Sequence, residues 1–273
     1  MHANPSNGRK RFQLPLFFLL SFIISWAVWA PQAAGALGIT GLAIPPDSPL
    51  NLFAVWGPAL AAIIVAALTA GRAGLRRLLG SLGQWRVGIQ WYLFILLFPA
   101  GIWLAGRLLD TFLGRSYELE SVLSRLGPQY VMMLPFFAIF ALPSALGEEI
   151  GWRGFALPRL QARYSALVST IILGVLWALW HIPHNLGQGQ TGIPLLMGLL
   201  SLIPIAVLFT WVYNGTKGSL LVAWLFHAAQ IITGYLLAPL PTYTDDVFLW
   251  LVAIVVVIIA GPADLSRQEK VTA

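Results

Sequence analysis

The sequence predicts an all-α membrane protein, a polytopic bundle of transmembrane helices, on three observations. Of the 273 residues, 58% are hydrophobic and 10% are charged, whereas an ordinary soluble domain carries about 25% charged residues. The apolar residues fall into eight runs of roughly the 20 residues that a helix needs to cross a bilayer. Most of the charged residues lie between these runs. This pattern excludes a soluble globular protein and also a disordered chain.

The eight predicted spans follow one another without a soluble domain between them. The first, residues 14–35, comes after Arg9, Lys10 and Arg11 and so resembles a signal peptide. Its apolar stretch is too long for one, so we keep it as a membrane helix. The other predicted spans are residues 51–70, 89–109, 130–150, 166–184, 193–213, 219–238 and 247–262. Without an internal repeat, residues 1–273 are predicted to form a single integral membrane domain.

The positions of the lysines and arginines predict that both termini are cytoplasmic. Outside the spans, 13 of the 16 cations fall on alternate connecting segments, beginning with the N-terminus, and cationic loops stay on the cytoplasmic side. The other three cations share one predicted external loop with three acidic residues. The members of this mixed-charge loop are Arg107, Asp110, Arg115, Glu118, Glu120 and Arg125.

The net charge of +6 is explained by this orientation, so membrane lipid is the expected partner and nucleic acid is not. Twelve tryptophans and seven tyrosines suit a protein with two membrane–water interfaces. The absence of cysteine excludes disulfides, thiolate nucleophiles and Cys-ligated metal centres. We expect a multi-pass protein of the cell membrane, in a prokaryotic cytoplasmic membrane.

Five ionisable residues lie inside or at the ends of the apolar runs. An ionisable group at membrane depth costs at least about 2.5 kcal/mol and by default marks a function. These residues are therefore where the chemistry is expected. They are Glu148, Glu149, His181, His184 and His227.

The first cluster is residues 147–153, GEEIGWR. Adjacent residues of a helix point about 100° apart, so Glu148 and Glu149 face different directions. Glu149 and Arg153 are four residues apart with the acid first, which favours an ion pair. This spacing assigns Glu149 to structure and leaves Glu148 free to face a cavity. The alternative is a pair of interfacial acids at a solvated helix end.

The second and third clusters each place a histidine beside a possible partner. Trp177 and His181 lie four residues apart, so the indole packs on the imidazole. His184 is either a second ligand of an H-x-x-H pair or, more simply, an interfacial histidine. His227 and Gln230 lie three residues apart and reach one cavity. The alternative for His227 is an ordinary interhelical hydrogen bond.

A carboxylate with two imidazoles suits activation of a water molecule and stabilisation of an oxyanion. The alternative is a divalent metal, zinc, held by Glu148, His181 and His227. The sequence contains no H-E-x-x-H zinc motif, no G-x-S-G serine motif and no G-x-G-D aspartyl motif. No cofactor is required by the sequence itself.

These residues resemble the CPBP family of intramembrane glutamate proteases, which includes type II CAAX prenyl endopeptidases and bacterial Abi or bacteriocin-processing proteins. The resemblance covers about residues 142–231. It rests on Glu148-Glu149-x-x-x-Arg153, on His181 within WALWHIP and on His227. It implies a catalytic core at about residues 130–238. It also implies a peptide or protein substrate that is membrane-anchored or prenylated. If zinc is bound as in the alternative above, the protein would be a metalloprotease.

The resemblance implies a role for each matched residue. Glu148 is the base that activates water, and His181 orients or polarises that water. His227 helps to stabilise the tetrahedral oxyanion. Glu149 and Arg153 hold the first motif in place.

One position departs from the family pattern, which usually has Asn or Asp four residues after the third-motif histidine. Ile231 stands there, and Gln230 is one residue earlier. Either Gln230 substitutes through a local distortion, or the oxyanion site is incomplete. The second case favours a catalytically silent immunity or scaffold protein of the same family. A proton-coupled transporter is a further alternative, which predicts two related halves that the sequence lacks.

The predicted spans leave the clusters at different depths, because Glu148 ends its span while His181 lies in the middle of another. They meet if the helix of Glu148 extends past Arg153, or if residues 153–164 form a surface helix. We expect a water-filled cavity open to the cytoplasm.

Overall fold

A computed structural model describes residues 12–39, 41, 44–45, 47–115, 127–128, 132–237 and 244–273 of the chain. Over these residues the protein consists of helices and connecting turns, without a β-strand. The helices are α1 (Gln13–Ala36), α2 (Leu50–Val55), α3 (Gly57–Gly80), α4 (Ile89–Phe112), α5 (Leu134–Gly151), α6 (Leu157–Gln161), α7 (Ala166–Gly187), α8 (Gly192–Gly215), α9 (Leu220–Leu237) and α10 (Thr244–Ala260). The all-α prediction is confirmed.

Seven helical segments of the described chain are long and apolar enough to cross a membrane. They correspond to seven of the predicted spans. The eighth prediction, residues 247–262, falls on α10, which is shorter at 17 residues. The orientation of the termini stays a prediction.

The boundaries of the second predicted span, residues 51–70, are wrong. The apolar run is divided into α2 and α3 by a turn at Trp56, and α3 starts with Pro58 in its first turn. Proline suits a helix start because backbone N–H groups in the first turn have no acceptor within the helix, so the N–H that proline lacks is not needed. The helix then continues to Gly80 through a kink at Gly71, whose φ of 56° suits glycine.

The long helices form a closed ring of pairwise contacts. Around this ring α1 packs on α3, α3 on α5, α5 on α9, and α9 on α4; α4 then packs on α10, α10 on α8, α8 on α7, and α7 on α1. Helices α8 and α9 also contact each other. The ring thus packs α5 against α9, although α7 and α8 lie between them along the chain.

The mixed-charge segment at the end of α4 is only partly a loop, which corrects the prediction. Arg107 and Asp110 lie within α4 and are 7% and 0% exposed. Arg107 Nη2 lies 3.1 Å from Asp245 Oδ1, and Thr244 donates a 2.9 Å hydrogen bond to Asp110. These contacts tie α4 to the first turn of α10, because buried charges require partners. Glu118, Glu120 and Arg125 lie outside the described residues.

The helix that carries the glutamate pair does not end at residue 150 as predicted. It continues through a π-helical turn, Trp152–Ala156, into α6, so that Leu134–Gln161 is a 28-residue helical segment. The first of the two expected arrangements is therefore present, and the helix extends past Arg153. Leu157 and Leu160 are buried, so this part of the chain is not a surface helix.

Candidate active site

The second glutamate of the pair lies at the centre of a buried charge cluster. Glu149 is fully enclosed, and its Oε1 accepts a hydrogen bond of 2.8 Å from Arg153 Nη1. The same oxygen lies 2.8 Å from Nδ1 of His227 on α9. The ion pair predicted from the i, i+4 spacing is therefore present. The contact with His227 is an addition that the sequence did not predict.

The first glutamate points to a different neighbour. Glu148 Oε2 accepts a hydrogen bond of 2.6 Å from the indole Nε1 of Trp177 on α7. Glu148 keeps 5% of its surface exposed, whereas Glu149 has none. The 100° between adjacent helical residues thus separates the two carboxylates, as expected.

The indole of Trp177 is the common neighbour of the cluster. Its ring centroid lies 5.6 Å from that of His181 and 5.8 Å from that of His227, both edge to face. The Arg153 guanidinium lies 4.5 Å from the same ring, in cation–π contact. Side chains of α5, α7 and α9 therefore converge on one tryptophan inside the ring of helices.

Both histidines are held by hydrogen bonds at Nδ1. His181 Nδ1 lies 2.9 Å from the carbonyl oxygen of Trp177, and His227 Nδ1 bonds the Glu149 carboxylate. A carbonyl and a carboxylate oxygen only accept, so Nδ1 carries the proton in each ring. In the neutral ring Nε2 is then the acceptor, which is the arrangement of an oriented catalytic or ligating histidine.

Of the remaining predicted residues, His184 lies beside this group. The His184 ring is 6.3 Å from that of His181 and packs at 4.9 Å on Trp29 of α1. Its Nδ1 is buried without a hydrogen-bond partner among the described residues. Gln230 lies one helical turn after His227, and its buried Nε2 likewise has no acceptor in the described chain.

The side chains give no geometric support to the zinc alternative. Within the described ranges, no three His, Asp or Glu side chains gather closely enough to hold a metal ion. One oxygen of Glu148 is taken by the indole of Trp177. Zinc binding by Glu148, His181 and His227 stays a prediction.

The sequence interpretation missed two glycines that bring α3 against the glutamate helix. A Cβ at Gly147 would lie 2.9 Å from the Trp56 side chain, and a Cβ at Gly151 would lie 2.7 Å from the backbone of Pro58. The spacing is the G-x-x-x-G pattern of close helix packing in membranes, so the signal was present in the sequence. Phe209 of α8 was also missed and has no such signal; its ring lies 3.9 Å from the Arg153 guanidinium.

Replacing Gly151 with alanine is expected to destabilise the protein by about 1–3 kcal/mol, because the added methyl group overpacks against the Pro58 backbone. The measurement is thermal unfolding in detergent micelles. Gly101→Ala is the matched control, since a Cβ there meets nothing within 4 Å. An equal Tm for the two variants would contradict the close approach of α3 and α5.

Comparison with known proteins identifies the same part of the chain. Residues 130–233 match the family model described as type II CAAX prenyl endopeptidase Rce1-like. Over 94 residues the chain is 36% identical to "CAAX prenyl protease 2" of Methanococcus maripaludis, which covers 32% of this chain and 35% of that protein. The chain thus matches about a third of the length of this curated relative. The glutamate pair, Trp177, His181 and His227 all lie inside the family match. Residues 130–233 of this chain are therefore similar to the Rce1-like CAAX proteases.

Proposed function

We propose that the protein is an intramembrane endopeptidase that hydrolyses a peptide bond of a membrane-associated protein or peptide. The main support is the convergence of Glu148, His181 and His227 on Trp177 within the Rce1-like region. A carboxylate and imidazoles at membrane depth cost free energy, so they are typical of functional sites. The relative's printed name favours a C-terminal CAAX peptide as the substrate.

In the proposed reaction Glu148 acts as the general base. The oxygen that does not bond Trp177 accepts a proton from a water molecule, while Nε2 of His181 accepts that molecule's second hydrogen and orients it. The water oxygen bonds to the peptide carbonyl carbon to give a tetrahedral intermediate. The C–N bond then breaks, and protonated Glu148 returns its proton to the leaving amine.

The oxyanion of that intermediate requires hydrogen-bond donors. His227 Nε2 donates only when its ring carries both protons, and the Glu149 carboxylate at Nδ1 then balances the ring's charge. We propose Gln230 as the second donor, because its buried Nε2 has no acceptor among the described residues. In this proposal Gln230 takes the part that Ile231 cannot.

The test of this function is cleavage in proteoliposomes. The purified protein is reconstituted with a peptide that ends in a prenylated CAAX sequence, and the released C-terminal fragment is measured by mass spectrometry. We expect release of this fragment, and slower release from the same peptide without its prenyl group. If neither peptide nor a membrane-anchored protein substrate is cleaved, the silent immunity or scaffold protein is favoured instead, as Ile231 suggests.

Replacing Trp177 with phenylalanine is expected to lower kcat by about ten to a hundredfold with little change in KM. The variant keeps an aromatic ring but loses the N–H that holds Glu148, and such a bond to a charged group contributes about 1.5–3 kcal/mol. The matched control is Trp211→Phe, whose indole packs on Trp91 and Phe94 instead. A purely structural Trp177 would lower the Tm and leave the kcat of the folded fraction unchanged.

A further inference from the structure

A cavity of about 890 Å³ lies outside the group of Glu148, His181 and His227. It is formed by the start of α1, the end of α3, α6, the turn after α8 and residues 271–273. None of the residues that carry the proposed hydrolysis lines it. The cavity is therefore a separate feature of the fold.

Four cationic side chains line this cavity: Arg77, Arg159, Arg163 and Lys217. Its lining contains no aspartate or glutamate. None of the four forms an ion pair with any described residue, including Ala273, which also lines the cavity. The undescribed residues 1–11, which precede α1, contain no acid in their sequence either. Among the described residues, the four cations therefore have no acidic ion-pair partner.

One of the four cations, Arg159, is held in place although the charge of Arg77 repels it. Arg159 is fixed by a 2.9 Å hydrogen bond to the Gln13 side chain, a 2.8 Å bond to the Phe155 carbonyl, and the Phe155 ring at 3.6 Å. The N–H donors of a guanidinium held in a fixed position match the oxygen acceptors of a phosphate group.

The position of the cavity agrees with a ligand at the membrane surface. It lies at the ends of α3, α6 and α8, where the cationic segments predicted to be cytoplasmic begin. Basic pockets between membrane helices on that side bind the head groups of anionic lipids. The volume of about 890 Å³ lies in the range of small-molecule sites.

We propose that this cavity binds a phosphate-bearing anion through Arg77, Arg159, Arg163 and Lys217. The phosphate belongs either to the head group of an anionic phospholipid or to a soluble phosphate compound. The site is independent of the proposed hydrolysis, so binding is measured without a cleavage assay.

The test compares phosphatidylglycerol, phosphatidylcholine and inorganic phosphate. Native mass spectrometry measures lipid retained by the detergent-purified full chain, and thermal shift measures stabilisation by inorganic phosphate. The key variant is Arg77→Gln/Lys217→Gln, because both side chains are exposed and their loss is not expected to prevent folding. The control is Arg86→Gln/Arg267→Gln, which removes two exposed cations that do not line the cavity.

We expect phosphatidylglycerol to be retained in preference to phosphatidylcholine, with affinity lowered about tenfold or more in the key variant and little in the control. Stabilisation by phosphate without a lipid preference, lost in the key variant, supports the same site with a soluble ligand. The proposal is overturned if the two lipids are retained equally and phosphate has no effect. It is also overturned if the key variant and the control behave alike.

Discussion

Replacing Glu148 with glutamine is expected to reduce peptide hydrolysis by about a thousandfold or more, since general acid–base catalysis contributes about 10²–10⁴-fold. Glutamine has nearly the same size, and its carbonyl oxygen still accepts the hydrogen bond from Trp177. The glutamine amide is too weakly basic to take a proton from water. The variant therefore keeps the packing of the site and loses the base.

The measurement is single-turnover cleavage in proteoliposomes, with the Tm determined on the same preparation. Glu269→Gln is the control because Glu269 is exposed near the C-terminus. A Glu148→Gln variant that keeps more than a tenth of the wild-type rate would contradict the role of Glu148 as base. A lowered Tm would assign the loss to folding instead.

A companion variant tests whether Glu148 and His181 act on the same water. His181→Gln alone is expected to reduce cleavage strongly. In the double variant with Glu148→Gln, the rate of cleavage is expected to be little lower than in Glu148→Gln alone, because the effects of residues that act as a unit are not additive. Multiplicative losses in the double variant would show that the two side chains act in separate steps.

The sequence located most of the helices because their length is set by the bilayer. It failed where the boundary depends on a particular turn or partner. The turn at Trp56 divides an apolar run whose composition does not change across it. Arg107 and Asp110 resemble loop residues in the sequence. Their burial depends in part on Thr244 and Asp245, which lie 134 and 138 residues further along the chain than the partners they contact.

The site residues were found because charge is scarce in this chain, with Asp and Glu supplying 10 of 273 residues. Their pairing was only half predictable. The contact of Glu149 with Arg153 follows from helical spacing, since both belong to one helical segment. The contacts of Glu149 with His227 and of Glu148 with Trp177 join different helices, separated by 78 and 29 residues. No local periodicity encodes such contacts.

Replacing Arg153 with methionine is expected to destabilise the protein by about 3–5 kcal/mol, the usual cost of breaking a buried ion pair by removing one partner. Arg153 and Glu149 are 1% and 0% exposed, so water cannot solvate the carboxylate that is left. The guanidinium contacts with the rings of Trp177 and Phe209 are lost as well. His227 is then the remaining partner of Glu149.

A double-mutant cycle separates the charge effect from the packing effect. Glu149→Gln/Arg153→Met is expected to be more stable than Arg153→Met alone, because the unpaired carboxylate has been removed. The free energy of unfolding is measured by denaturant titration in mixed micelles. Arg115→Met is the control, because the Arg115 side chain is 60% exposed and its partner Asp110 keeps its contacts with Arg107 and Thr244. This variant is expected to cost less than about 1 kcal/mol. If the double variant is no more stable than Arg153→Met, the effect of Arg153 comes from its packing on the two rings, and Glu149 is stabilised by His227 alone.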